Sequence, residues 1–216
     1  MTVVAVRGEA LREVDPELAE FTVTIVARDK DRETTLTRLR ERAEALRAVF
    51  DRHGDAIERR ETSGLHVHPE MAKKGERVTA YSGSVSTTVV VRDFAALGEM
   101  MLTVAGQDQA HVHGPTWSLR PESPVFRAVR RDAVADAIAR GKEYADALGA
   151  QVVDLIELAD PGLGRTDQVG PFQTYDAGAM KRASYGGAAP LQLDPPRQRV
   201  RAEVEARFTI TTPTVL

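Results

Sequence analysis

The sequence predicts an α+β fold in the order ββαββαβαββ: an antiparallel sheet with its helices on one face, containing a split-βαβ (ferredoxin-like) unit. Three observations predict it. Apolar and polar residues alternate singly over residues 19–28 and 200–210, the period of a half-buried strand. Over 33–50 and 124–148 the apolar period becomes three and four residues, as an amphipathic helix requires. Between these stretches lie further strand-like segments, so the two kinds of element are interleaved.

Residues 3–12 and 19–28 read as strands joined by a turn at Asp15-Pro16, with Phe21, Val23, Ile25 and Ala27 on one face of the second. Leu36, Leu39, Ala43, Leu46 and Phe50 then mark a helix that Gly54 ends. Residues 56–68 and 78–92 form a long hairpin across Met71-Ala72-Lys73-Lys74-Gly75, and Tyr81, Val85, Val89 and Val91 share a face of its second arm. Asp93 caps a short helix that reaches Gly106. A strand over 110–119 carries Val112, Trp117 and Leu119.

Ser123-Pro124 is an N-cap followed by proline at the first helical position. The helix it opens runs to Leu148, stops at Gly149, and shows a face of Phe126, Val129, Ala133, Ala137, Tyr144 and Leu148. A strand over 151–158 follows. Residues 160–196 hold six glycines and five prolines without any period, a long loop. The last strand alternates Val200, Ala202, Val204, Ala206, Phe208 and Ile210 with Arg, Glu and Thr, so one of its faces meets water. At 216 residues the length fits one elaborated domain, residues 1–216, with the 160–196 loop flexible or docked on a neighbouring subunit.

Composition excludes several classes of function. Cysteine is absent, which removes thiol nucleophiles, CxxC redox chemistry, iron–sulfur clusters and cysteine-ligated zinc. A net charge of −3 and 5% aromatics supply neither the field nor the stacking platforms of a nucleic-acid binder. No window approaches the roughly 18 apolar residues of a membrane span. Met1 leads directly into Thr2-Val3-Val4-Ala5-Val6, and Arg7 breaks the apolar run, so the reading is cytoplasmic.

Three stretches together resemble the SIMPL-domain family. They are Val4 to Ala10 with Val14-Asp15-Pro16 and Phe21 to Ile25; Ala133 to Gly149 running into Val152 to Ile156; and Pro195-Pro196 before Val200 to Phe208. Pro-Pro stands where the family usually has Pro-Gly. The resemblance covers nearly the whole chain and implies the same element order, assembly into rings or larger homo-oligomers, and a link to stress responses. It implies no catalytic residues and no cofactor.

Two His-x-His pairs, His66-Val67-His68 and His111-Val112-His113, each place two imidazoles on one side of a strand. Either they ligate a metal, with Glu61 or Glu70 adding a carboxylate, or they line the water-facing sides of two strands that are not neighbours. Gly162-Leu163-Gly164-Arg165-Thr166 lacks the spacing of a phosphate loop. Tyr81-Ser82-Gly83-Ser84-Val85 puts its serines inside a strand, not at a nucleophile elbow. Arg38, Arg40, Arg42, Arg47 and Arg52 are interleaved with Glu33, Glu41, Glu44 and Asp51, which reads as a solvated, salt-bridged face. In the long loop Phe172, Tyr175, Met180 and Tyr185 are apolar residues without an element to bury them, suited to contact a neighbouring subunit.

The expectation is therefore a non-enzymatic, self-assembling protein whose partner is itself, with no nucleic acid or membrane involved. The alternatives are a metal- or ligand-binding protein or enzyme using His66, His68, His111 and His113, or an adaptor for another protein.

Overall fold

The computed structural model describes residues 2–72, 75, 77–163 and 193–215. Its elements are β1 (Thr2–Val14), β2 (Leu18–Asp29), α1 (Arg32–Arg52), a 3-10 turn (Gly54–Ala56), β3 (Ile57–Met71), β4 (Val78–Val91), α2 (Phe94–Ala105), β5 (Ala110–Ser118), α3 (Pro124–Ala147), β6 (Val152–Ala159) and β7 (Gln198–Ile210). This is an α+β fold, and every strand pairing in it is antiparallel.

The strands divide into two sheets where the sequence predicts one. One sheet has the order β1-β7-β6 and the other β3-β4-β2-β5. Asp15-Pro16 does not close a hairpin, because β1 takes its backbone partners from β7, in unbroken register from Thr2 opposite Ile210 to Val14 opposite Gln198. The chain accordingly forms two compact units. One gathers β1, α3, β6 and β7 from both ends of the sequence, and the other holds β2 to β5 with α1 and α2.

In the unit of β2 to β5, the order β2-α1-β3-β4-α2-β5 produces the split-βαβ sheet. The inward residues of β2 (Ala19, Phe21, Val23, Ile25) meet Leu46, Val49 and Phe50 of α1 and Leu97, Met100, Met101 and Val104 of α2. Phe21 and Phe50 approach at 6.3 Å between ring centroids, and Phe94 meets Trp117 edge-on at 4.8 Å. Helix α1 starts where the Asp31 carboxylate accepts the Thr34 N–H at 2.8 Å, a bond that also lowers the Asp31 pKa. It ends at His53, one residue before the expected Gly54, which instead opens the 3-10 turn. The Leu39 side chain of α1 lies on Gly83 of β4, where a Cβ would stand 2.6 Å from it.

In the other unit, α3 lies across β1 and β7. Its buried residues are Val129, Ala133, Ala137, Gly141 and Ala145, one i, i+4 row of small side chains. Tyr144, expected on this face, is 56% exposed. Glycine on the sheet matches alanine on the helix: a Cβ at Gly8 of β1 would overlap Ala133 and Ala137. Ser123 caps α3 by accepting the Val125 N–H. Gly149, at φ +62°, closes it, with Ala150 N–H reaching back to the Ala145 carbonyl at 2.9 Å.

Candidate functional site

Helices α1 and α2 lie on one face of the β3-β4-β2-β5 sheet, and the parity of each strand sends its polar residues to the other. On β2 these are Glu20, Thr22, Thr24 and Arg28; on β4 they are Ser82, Ser84, Ser86 and Thr88. Directly opposed residues of an antiparallel pair share a face, so the register defines rows across the sheet. One row runs His111, Thr24, Ser86, Gly64 and the next runs His113, Thr22, Thr88, Glu61. Hydroxyls bond along these rows, Thr24 to Ser86 at 2.9 Å and Thr22 to Thr88 at 3.3 Å. His66 lies opposite Ser84 and His68 opposite Ser82. All four histidines of the two pairs are exposed and stand on this same face.

The topology separates the pairs. β3 and β5 are the two edge strands, with β4 and β2 between them. Three strand spacings amount to about 14 Å. Since nitrogen–metal bonds are about 2.0–2.1 Å, no single ion can bridge the two pairs within one chain. Among the described residues no group of three or more His, Asp or Glu side chains converges as a metal cage. The period-2 run of hydroxyls Ser82, Ser84, Ser86 and Thr88 was readable in the sequence, but its link to both histidine pairs depends on register.

Beside His68, the Arg28 guanidinium donates to Glu70 from Nε, shared between the two carboxylate oxygens at 3.0 and 2.9 Å, and from Nη2 at 2.8 Å. These bonds hold the Glu70 carboxyl below its usual pKa, helped by the charges of Arg28 and His68, and raise that of Arg28. Glu70 is thereby engaged by Arg28 and not by either imidazole. Glu61 shares the histidine face but forms its ion pair with Arg59 at 3.2 Å.

The arginines of α1 border a cleft of about 410 Å³ lined by Arg38, Glu41, Arg42 and Asp108 over Ile25 and Leu46. Arg38 pairs with Asp29 at 3.0 Å, and Arg42 pairs with Asp108 and donates to the Val26 carbonyl at 2.7 Å. Arg52 and Arg47 are exposed on the same helix. Phe172, Tyr175, Met180 and Tyr185 lie outside the described residues. Of the 160–196 loop, Leu193 is seen to pack against the core of the β2–β5 unit.

An apolar surface that the periodicity did not reveal lies on β6. Val153, Leu155, Ile156 and Leu158 are 47–55% exposed. Bulges at 152–154 and 155–157 set Leu155 opposite Phe208 and Leu158 opposite Ala206, on the side of the sheet that carries α3. Since α3 packs chiefly on β1 and β7, the described residues leave these leucines about half exposed.

A model of the SIMPL family, described as protein of unknown function (DUF541), matches residues 4–208. The chain is 30% identical over 193 residues to the 26 kDa periplasmic immunogenic protein of Brucella melitensis, which spans 82% of this chain and 74% of that protein. The protein of the same name from Brucella abortus matches to the same extent. Both names overturn the cytoplasmic expectation, which rested on the first residues and on the lack of a long apolar window. Among the described residues no helix is long and apolar enough to cross a membrane.

Proposed function

The chain belongs to the SIMPL family, and from that premise we propose that it is a periplasmic, non-enzymatic protein that assembles with copies of itself through β6. The single observation carrying this reading is the uncovered edge. Within six residues β6 exposes Val153, Leu155, Ile156 and Leu158, on a strand that stands at the edge of the sheet among the described residues. An edge of this kind pairs with another strand unless it is blunted by proline or covered. Both edges of the other sheet contain proline, Pro69 on β3 and Pro115 on β5, whereas β6 and β1 contain none.

The periplasmic location follows the names of the two Brucella relatives. The non-enzymatic reading is supported by Ser82 and Ser84 lying within β4, away from any strand-to-helix turn that would expose a nucleophile. Light scattering of the full chain tests assembly: a multiple of the 23.6 kDa chain mass is expected. A monomer at tens of micromolar would overturn it.

A further inference from the structure

We propose that the two His-x-His pairs are separate sites for a borderline divalent metal ion, one ion per pair, with Cu²⁺ the preferred occupant. Along a strand, residues i and i+2 project to the same side about 6.6–6.8 Å apart. Two imidazoles mounted at that spacing can lean together and meet at one ion, each nitrogen about 2.0–2.1 Å from it. His66 with His68 satisfies this on β3, and His111 with His113 on β5, in both cases as exposed side chains.

The surroundings leave room for an ion. The residues directly across from the rings are Ser84 and Ser82 in one site and Thr24 and Thr22 in the other, all short. The His66 ring lies toward Gly64, its Nε2 3.2 Å from where a Cβ there would stand, and reaches a shared ion by rotating toward His68. Each site occupies an edge strand, so water reaches its outer flank and completes the coordination. Imidazole nitrogen donors favour copper, nickel and zinc over calcium and magnesium, and copper binds most tightly in that series. At the first site Glu70 is a carboxylate in reserve, held by Arg28.

The test is equilibrium dialysis of the untagged full chain against Cu²⁺, with metal counted by atomic emission. The wild type is expected to retain two equivalents. The pair His66→Ala, His68→Ala and the pair His111→Ala, His113→Ala should each retain one, and the fourfold variant none. Since the four side chains are exposed, circular dichroism should show all variants folded, and His53→Ala should leave both equivalents in place. Electron paramagnetic resonance should show two imidazole nitrogens per copper. Fewer than two equivalents on the wild type, or two retained by the fourfold variant, overturns the proposal.

Discussion

The Phe208 ring of β7 rests on Gly141 of α3: a Cβ at Gly141 would stand 2.8 Å from the ring. The contact is possible because the row beneath it is built from small residues, Ala133, Ala137, Gly141 and Ala145. Helix and sheet therefore approach at a distance fixed by missing side chains.

Gly141→Val should destabilise the protein. Overpacking a close contact costs about 1–3 kcal/mol, more than the roughly 0.5 kcal/mol of helix propensity that valine gains over glycine. Urea titration followed by circular dichroism should give a lower midpoint with an unchanged slope.

Leu155→Asp with Leu158→Asp should reduce the assembled protein to a monomer that circular dichroism shows still folded. Both leucines are about half exposed, so folding gains little from them, while a pair of carboxylates at a strand edge repels a second copy. Light scattering across a concentration series reads the change. An assembly of undiminished mass would assign the contact to another surface.

Acid should loosen the β3–β4 hairpin near its tip. Arg28 holds the Glu70 pKa down in the folded chain, so the tie contributes fully above the ordinary glutamate value of 4.5. It is lost as pH falls through the lower, folded-state value. Hydrogen exchange at residues 66–71 and 78–84, corrected for intrinsic rates, should lose protection as the pH falls below the ordinary value of 4.5. Glu70→Gln should remove most of that pH dependence.

Arg28→Ala should tighten Cu²⁺ at the His66–His68 site and leave the His111–His113 site unchanged. The substitution removes a cation beside the first site and releases Glu70 as a third donor. Competitive titration against a chelator of known affinity, run on chains that retain one pair at a time, separates the two.

Much of this was legible in the sequence, because capping chemistry and periodicity are local. Ser123-Pro124 and Gly149 bound α3, and alternation in β2 and β7 sorted inward from outward residues. The strand pairings were not legible: nothing in Val14-Asp15-Pro16 says that the strand before it pairs with residues near 204 rather than with the strand after it. Tyr144 was assigned to the buried face of α3 because aromatic residues count as apolar, whereas the position that packs is Gly141, which carries no apolar signal. On β6 two bulges change the interval between same-face residues from two to three, so Leu155 and Leu158 come to share a side that simple alternation would divide. The histidine parity was readable; the separation of the pairs came only with the order of strands in the sheet.

The pairing of β1 with β7 also dictates an order of events at the ribosome. Thr2 has no partner until Ile210 has been made. At about 5–20 residues per second that interval is tens of seconds at the slower rate. Strands β2 to β5 and their two helices are complete much earlier, within the first 120 residues. The nascent chain thus carries an early-finished half beside an orphan strand, and a truncation that removes β7 should leave β1 without its mate while sparing the half made first.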